Sequence, residues 1–208
     1  DAHLVGITLQ HELNYTNVLE LLHLAGIPVR ASQRSAFPLV IAGGPAVSNF
    51  LPMEPFLDAV VVGDGEEVFP EILEVMRREV ESGAGRAAVL SSLASIRGVY
   101  VPGVSRSVER RVLTSLEGAP YPVECLVPLA AGVHDRAWVE IMRGCTRGCR
   151  FCQAGMWYRP VRERRADSLL ELASAQLAAS GHEELALSSL STTDYSALQQ
   201  VLSSLASD

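Results

Sequence analysis

The chain has 208 residues, of which 48% are hydrophobic and 20% are charged, and its formal net charge at pH 7 is −7. This length supports one or two domains with a sizeable buried core, and the acidic balance argues against a protein that binds polyanions over its whole surface. No apolar run approaches the ~20 residues that span a bilayer, and the start, DAHLVGITL, lacks the basic segment and cleavage site of a signal peptide. We therefore expect no membrane partner.

The first hundred residues predict alternating strands and helices. Short apolar strands are expected at residues 4–9, 39–42 and 59–62, and helices at residues 14–25 and 66–78. Both helices carry apolar residues at positions i, i+3, i+4 and i+7, which is the spacing of one helical face. Continuous apolar strands that alternate with helices indicate an α/β fold with a doubly wound parallel sheet, covered on both faces.

Residues 99–136 interrupt this pattern. Prolines stand at positions 102, 120, 122 and 128, and a charged cluster occupies positions 109–111. Prolines at this density are typical of irregular connections. We interpret residues 99–136 as a Pro-rich linker with one hairpin, which assigns residues 1–98 to a first domain and residues 137–208 to a second.

The second domain predicts two strand–helix units. Strands are expected at residues 138–142 and 185–190, and helices at residues 168–180 and 195–206. Ser168 and Glu171 have the spacing of a capping box, Gly181 ends the first helix, and Asp194 is the expected N-cap of the second. Because two parallel strands leave edges that need neighbours, we expect the sequence to be a piece of a longer protein, cut at both ends.

Three clustered cysteines carry the strongest chemical signal. Cys145, Cys149 and Cys152 stand in a CxxxCxxC spacing within RGCTRGCRFC. Three thiolates this close in sequence can converge on one soft metal centre, as an iron–sulfur cluster requires. A cubane held by three protein thiolates keeps one iron free, which favours a reactive centre over a sealed structural one.

Two simpler interpretations of the cysteines remain open. A structural zinc site normally uses four ligands in pairs, but the chain has no second cysteine pair, and His134 and His182 lack a ligand spacing to the trio. A disulfide with one leftover thiol would suit an oxidising compartment, which nothing else in the sequence suggests. Few cysteines, most of them clustered, fit a reducing cytoplasm. For Cys125, which lies outside the cluster, an idle thiol is the default interpretation.

The segment VEIMRGCTRGCRFCQAGMWYRPVRER resembles the cluster-binding segment of the radical S-adenosylmethionine (SAM) enzymes. The resemblance implies a [4Fe–4S] cluster on Cys145, Cys149 and Cys152, whose free iron binds the amino and carboxylate groups of SAM. It also implies that an electron from the cluster cleaves SAM to a 5′-deoxyadenosyl radical. Phe151 occupies the aromatic position before the last cysteine, where the backbone would meet the adenine.

The same resemblance implies further features of the second domain. Residues 137–208 would be the first two βα units of a partial TIM barrel, and the cluster would receive electrons from a donor of the flavodoxin or ferredoxin type. Many family members accept the SAM amino group at a Gly-Gly-Glu-like turn after the second strand. The chain has Ser188, Ser189 and Ser191 there, and hydroxyls without a carboxylate make a weaker contact with an ammonium group.

The first domain resembles the cobalamin-binding-like domain that precedes many radical SAM cores. The matching segments are VGITLQ, IAGGPAVS and AVVVGDGEE. The resemblance implies that the turn at Gly43 and Gly44 accepts the nucleotide tail of cobalamin, because glycine lets a backbone approach a ligand closely. A plain turn after a strand explains the two glycines equally well.

Two other motifs in this domain have simple structural interpretations. Asp1, His3 and Gly6 spell DxHxxG, the pattern in which a family histidine ligates cobalt, but here they lead directly into a strand. We interpret the match as coincidental and His3 as a residue that does not bind cobalt. Asp64 and the glutamates that follow it offset the exposed N–H groups of a helix N-terminus.

An unusual concentration of arginines surrounds the cysteines, at positions 143, 147, 150, 159, 162, 164 and 165. These arginines could bind the anionic cluster and the SAM carboxylate. They could bind a phosphate-bearing substrate such as tRNA, or they could pair with nearby acidic residues on a solvated loop. The sequence leaves the three alternatives open.

The leading hypothesis is a cytoplasmic radical SAM enzyme whose cofactors carry the difficult chemistry. The substrate is not evident, and methyl transfer, methylthio transfer and RNA modification all suit the resemblance. Two other classes remain open. One is an iron–sulfur electron carrier or sensor that never cleaves SAM, and the other is a non-catalytic module that binds cobalamin or a partner.

Overall fold

The computed structural model describes residues 2–130 and 132–206. The chain forms two compact units, one up to Leu113 and one from Thr114 onward. The division into domains at 1–98, 99–136 and 137–208 stays a prediction, because a compact unit is not by itself a domain that folds alone.

The first unit is built on a four-stranded sheet in the order β1-β2-β3-β4. Its strands are β1 (Leu4–Thr8), β2 (Leu39–Gly43), β3 (Ala59–Val61) and β4 (Val99–Tyr100). The first three strands are parallel, and β4 pairs antiparallel with β3. The sequence therefore predicted the parallel α/β sheet correctly. It did not predict the antiparallel edge strand β4, which lies inside the expected linker.

Three helices accompany this sheet: α1 (Tyr15–Leu24), α2 (Gly65–Glu81) and α3 (Arg86–Leu93). Short 3-10 turns lie at Glu12–Asn14, Ala31–Gln33, Pro45–Asn49 and Leu51–Phe56. The helices α1 and α2 are confirmed, whereas the sequence missed α3. In α3 the buried residues are Val89 and Leu93, and a single i, i+4 pair among small residues is too short a pattern to predict a helix.

The core of the first unit explains why β2 is apolar throughout. Leu39, Val40 and Ile41 are all buried, although successive side chains of a strand point to opposite faces. Both faces of the sheet are therefore covered. On one face, Ile41 packs in a buried cluster with Ile72 of α2 and Leu93 of α3, and burial of each such side chain contributes about 1.5–3 kcal/mol.

The GDGEE segment fastens a distant stretch of chain to the end of β3. The Asp64 carboxylate accepts the Leu113 N–H at 2.8 Å, and the Asp64 N–H donates to the Arg111 carbonyl at 2.9 Å. Gly63 has a φ of +123°, and an added Cβ would lie 2.0 Å from the Arg111 carbonyl oxygen. The Arg111 guanidinium also pairs with Glu67 at 2.8 Å. The aspartate thus does more than offset a helix terminus.

The second unit contains two small strand pairs. Strands β5 (Ala137–Glu140) and β8 (Leu185–Ser188) are parallel, and β6 (Met142–Arg143) pairs antiparallel with β7 (Arg162–Glu163). Its helices are α4 (Gln153–Trp157), α5 (Ala166–Ser180) and α6 (Leu198–Leu205), with a 3-10 turn at Thr192–Asp194. Val139 of β5, Leu169 of α5 and Val201 of α6 are buried in its core.

Two capping predictions for this unit are wrong. Helix α5 begins at Ala166, and Ser168 donates to Glu117 Oε2 at 2.6 Å instead of capping the helix. Glu117 Oε1 accepts the Arg165 N–H at 2.6 Å, so a carboxylate from far along the chain serves the helix start. Helix α6 has Ala197 as its N-cap, and not Asp194. The predicted end of α5 at Gly181, which has a φ of +73°, is confirmed.

Within the described ranges 2–130 and 132–206, no helix combines the length and the apolar character that crossing a bilayer requires.

Candidate metal centre

The cysteine loop, residues 144–152, connects β6 to α4. Gly144 opens the loop with a φ of +91°, and an added Cβ would lie 2.8 Å from the Tyr158 carbonyl oxygen and 2.9 Å from that of Pro160. The loop therefore starts pressed against the backbone that returns toward β7. A side chain would not fit there, so close packing explains the glycine of the Arg-Gly-Cys sequence.

All three clustered cysteines are free thiols, as is Cys125. Cys149 is exposed, whereas Cys145 and Cys152 are half-buried. Cys145 Sγ accepts the Arg147 N–H at 3.4 Å, and Cys152 Sγ accepts the Gly155 N–H at 3.4 Å. Hydrogen bonds from backbone N–H groups to sulfur are among the contacts that tune iron–sulfur clusters.

The fit of this loop to a cluster lies in its donor chemistry. Three unpaired soft donors occur in one accessible loop, and two of them already accept backbone N–H groups. Among residues 2–130 and 132–206, however, no three Cys, His, Asp or Glu side chains are grouped closely enough to hold a metal ion. The loop thus offers three thiol groups but does not hold them in a finished coordination geometry.

The loop after β8 contacts the cysteine loop through one carboxylate. Asp194 accepts the Thr146 hydroxyl at 3.1 Å and the Ser191 hydroxyl at 2.8 Å. It also accepts Arg147 Nε at 2.6 Å and a second, shorter bond from Arg147 Nη2. We call these four residues the Asp194 clasp. Because β5 and β8 are parallel neighbours, their carboxyl ends lie at the same edge, where the clasp joins the two loops.

The charges of the clasp persist at neutral pH. Hydrogen bonds from Arg147 and then from Ser191 lower the pKa of Asp194 to about 2. The hydrogen bond and the charge of Asp194 raise the pKa of Arg147, and the nearby Cys145 and Cys149 sulfurs raise it further. Since the Arg147 side chain is 60% exposed, solvent screens the ion pair. Its role is to orient the two loops and not to add much stability.

The three serines that were expected to meet SAM have different hydrogen-bond partners. The backbone carbonyl of Ser188 accepts the Ile141 N–H at 3.0 Å, which extends the β5–β8 pairing. The Ser189 hydroxyl bonds the Thr192 hydroxyl at 3.1 Å, and Ser191 belongs to the clasp. Ser191 is thus the serine that shares a bonding partner, Asp194, with the cysteine loop.

Sequence reasoning missed the role of Asp194. The serine run lacks the carboxylate of the Gly-Gly-Glu-like turn, but Asp194 follows Ser191 by three residues and bonds Arg147 of the cysteine loop. The sequence signal that could have identified Asp194 was an acidic residue in the loop after β8. Phe151 is 91% exposed, so its side chain leaves the loop open at the position expected to meet adenine.

Most of the arginines near the cysteines have partners inside the second unit. Arg143 pairs with Glu140 at 2.8 Å, Arg147 binds Asp194, and Arg165 pairs with Glu117 at 3.6 Å. Two more form backbone contacts: Arg162 donates to the Tyr158 carbonyl at 3.1 Å, and Arg164 donates to the Leu116 carbonyl at 2.7 Å. These contacts favour internal roles over a surface for nucleic acid.

Cys125 lies apart from the cysteine loop in sequence and in bonding. Its thiol donates to the Pro122 carbonyl oxygen at 3.2 Å and accepts Gln176 Nε2 at 3.2 Å. The Gln176 side chain is buried in α5. These contacts give Cys125 a packing role between the connecting segment and α5.

The Gly-Gly turn of the first unit is explained by its own packing. Gly44 has a φ of +100°, and an added Cβ would lie 2.7 Å from the Leu9 carbonyl oxygen. At Gly43 an added Cβ would make an ordinary contact of 3.8 Å with Val61. The close approach of Leu9 therefore requires the glycine at position 44, whether or not a ligand binds there.

His3 lies at the other end of the sheet from this turn. Its exposed ring packs edge-on against Phe37, with centroids 5.3 Å apart. In the parallel pair β1–β2, Leu4 lies opposite Leu39 and Thr8 lies opposite Gly43. At about 3.3 Å per residue, His3 is roughly 15 Å along the strands from the Gly-Gly turn. Asp1, the first residue of the DxHxxG match, lies outside the described residues.

Comparison with known proteins matches both units to related families. Residues 1–102 match the family described as radical SAM proteins, N-terminal, and residues 139–208 match the radical SAM superfamily. An uncharacterised protein of Methanocaldococcus jannaschii, MJ0966, is 30% identical over 195 residues, which are 92% of this chain and 39% of that protein. The cobalamin-dependent radical SAM methyltransferase TokK of Streptomyces tokunonensis is 30% identical over 135 residues, which are 56% of this chain and 18% of TokK. The chain thus spans well under half the length of both relatives.

Proposed function

The chain belongs to the radical SAM superfamily of enzymes, and from that premise we propose that it binds a [4Fe–4S] cluster through Cys145, Cys149 and Cys152 and cleaves SAM reductively. When bound, the cluster supplies the electron that breaks the sulfonium bond of SAM and so yields the 5′-deoxyadenosyl radical. We further propose that the two strand–helix units of the second half begin a partial barrel.

The observation that carries this proposal is the Asp194 clasp. It holds the loop after β8 against the cysteine loop through bonds to Thr146, Arg147 and Ser191. Precise placement of two reacting partners is itself a large part of catalysis. A cofactor that contacts the cysteines would therefore meet the Ser189 and Ser191 loop at the same strand edge.

The proposal assigns roles to backbone groups and side chains of the site. The Arg147 and Gly155 N–H groups orient the Cys145 and Cys152 sulfurs. The hydroxyls of Ser189 and Ser191 accept from the SAM ammonium group, and exposed Phe151 presents its backbone to the adenine. Arg147 remains charged and offsets the negative charge of the thiolates.

Methyl transfer is the reaction subclass that we favour. The support is the similarity to TokK, whose name describes a cobalamin-dependent methyltransferase. We propose that the first unit is a cobalamin-binding-like, doubly wound domain, and that any cobalamin binds without a histidine beneath the cobalt, because His3 lies at the far end of the sheet. An RNA substrate has less support, because most arginines near the cysteines are engaged internally. The proposed electron donor is of the flavodoxin or ferredoxin type.

The test is anaerobic reconstitution of the purified protein with iron and sulfide, followed by SAM and a strong reductant. We expect bound iron and the formation of 5′-deoxyadenosine. A protein that holds the cluster but consumes no SAM would instead be an electron carrier or sensor. A protein that assembles no cluster would be a binding module, and either result would refute the proposed enzyme.

A further inference from the structure

The first unit contains a cleft at the amino ends of its parallel strands, opposite the Gly-Gly turn. The cleft has a volume of about 590 Å³, within the range of small-molecule sites. It is lined by Asp58, which directly precedes β3, by Arg34 from the segment before β2, and by Arg86, the first residue of α3. Apolar side chains, including Leu57 and Leu90, form another part of its wall.

The floor of the cleft is a buried ion pair between Arg34 and Asp58, in which every N–H donor of Arg34 makes a hydrogen bond within the protein. The side chains of Arg34 and Asp58 are 2% and 1% exposed. Arg34 donates to Asp58 at 3.0 and 3.2 Å and to the backbone carbonyls of Pro28, Val29 and Phe56 at 2.7, 3.2 and 2.8 Å. Asp58 also accepts the Val40 N–H at 2.7 Å. Arg34 therefore holds the sheet edge together and has no donors left for a ligand.

A second arginine shares the same carboxylate. Arg86 donates to Asp58 through Nη1 at 3.3 Å and through a shorter bond from Nη2, and its side chain is 11% exposed. Two guanidinium groups around one carboxylate leave one positive charge uncompensated in a largely buried position. Burial of an uncompensated charge is costly. Among the described residues, Arg86 bonds only Asp58, so the remaining N–H donors of Arg86 can serve a ligand in the cleft.

The mouth of the cleft adds a third arginine. Arg30 lies over the Phe56 ring at 5.7 Å, and within the described part of the chain it pairs with no carboxylate. Ser32 lines the same mouth. Glu54, the other acidic residue of the lining, accepts the Tyr100 hydroxyl at 2.8 Å. Three arginines against two carboxylates give the cleft a net charge of +1.

We infer that this cleft binds the phosphate or carboxylate group of a small organic molecule through Arg86 and Arg30, with its apolar part against Leu57 and Leu90. Guanidinium groups match the geometry of both anions and form charge-assisted hydrogen bonds to them. No residue of the Gly-Gly turn lines this cleft, and all of its lining residues belong to the first unit. It would let the first unit hold an anionic metabolite.

The test is isothermal titration of the purified protein with three probes: inorganic phosphate, glycerol 3-phosphate and succinate. We expect saturable binding of glycerol 3-phosphate or of succinate, and the one that binds more tightly identifies the anionic group. Arg30→Gln and Arg86→Gln should each weaken that binding roughly 10- to 100-fold, the effect of one lost charge-assisted contact. Arg97→Gln is the matched control, because Arg97 is 60% exposed, pairs with Glu109 and does not line the cleft.

Two results would overturn the inference. One is the absence of saturable binding for all three probes, and the other is an Arg30→Gln protein that binds as tightly as the wild type. Arg30 is exposed, so this variant should fold normally even if Arg86→Gln does not. Binding should also be unchanged in Cys145→Ala, so a failure of the cleft and a failure of the cluster proposal can be told apart.

Discussion

Gly44 and Gly144 each have a positive φ and each lie directly after a strand, but the residues around the two glycines differ. Beside Gly44, the Leu9 carbonyl oxygen fills the space that a side chain would need, 2.7 Å from an added Cβ. Beside Gly144, the carbonyls of Tyr158 and Pro160 press against the start of a loop that carries three free thiols. Gly44 allows a close backbone contact within the fold, whereas Gly144 begins a loop whose cysteines form no disulfide.

The difference teaches how to interpret a glycine motif at a strand end. A glycine at such a position indicates that another group approaches its backbone closely. In both units that group is a backbone carbonyl of the chain itself. The neighbouring side chains then decide whether the position is functional. After Gly44 come Pro45 and buried Ala46, which offer no reactive group, but after Gly144 comes a set of three thiols.

The largest expected effect is on the thiols themselves. Replacing Cys145, Cys149 or Cys152 by Ala should abolish cluster assembly, because two thiolates rarely retain a cubane. Cys125→Ala should leave the cluster intact, since that thiol already bonds Pro122 and Gln176. Iron content and visible absorption after reconstitution measure both outcomes. Loss of iron in Cys125→Ala would show that the cluster is not confined to the cysteine loop.

The glycine comparison can be tested directly with Gly44→Ala and Gly144→Ala. Each adds a Cβ within 2.7 or 2.8 Å of a backbone oxygen at a positive φ, so each should lower the free energy of unfolding by about 1–3 kcal/mol. Gly144→Ala should also lose iron, whereas Gly44→Ala should keep it. Urea unfolding and iron analysis give the two readouts.

Gly6→Ala is the control for these variants, because an added Cβ at Gly6 has no neighbour within 4 Å. It should be neutral or should stabilise the strand by about 0.5–1 kcal/mol. Equal iron loss in Gly44→Ala and Gly144→Ala would remove the distinction between the two turns.

A smaller effect is expected at the Asp194 clasp. Asp194→Asn removes the charge that orients Arg147 and should weaken SAM binding roughly tenfold, the usual cost of losing a partner behind a cofactor ligand. Iron content should stay near the wild-type level, because Asp194 is not a proposed ligand. A variant with normal SAM affinity, measured by titration, would show that the clasp does not position the site.

The pH dependence of the clasp follows from the lowered pKa of Asp194, about 2. A depressed carboxyl pKa means that the contact is fully present above the ordinary aspartate pKa and is lost as the pH falls through about 2. SAM affinity should therefore show no titration from Asp194 between neutral pH and about pH 5. A midpoint in that window that disappears in Asp194→Asn would contradict the assignment.

The smallest expected effect is at His3. In protein loaded with cobalamin, His3→Ala should leave the spectrum of the cobalt unchanged, because His3 lies at the opposite end of the β1–β2 pair from the Gly-Gly turn. Electron paramagnetic resonance detects a nitrogen ligand on reduced cobalt. A histidine signal that vanishes in His3→Ala would overturn this prediction.

Much of the architecture could be predicted because its signals are local. The apolar runs of β2 and β3, the helical periodicity of α2, and the glycine that ends α5 are all carried by residues within one element. The spacing of the three cysteines is local in the same sense, and it was enough to identify the cluster ligands proposed here. Patterns of this kind need no knowledge of which distant segment they meet.

The contacts that shape the site were decided by tertiary structure. Ser168 bonds Glu117, which is 51 residues away, and Asp194 bonds Arg147, which is 47 residues away, although local spacing had made both residues helix caps. The Asp64 carboxylate likewise reaches Leu113, 49 residues on. A polar side chain pairs with the nearest suitable hydrogen-bond partner in space, and that partner becomes known only when folding brings distant segments of the chain together.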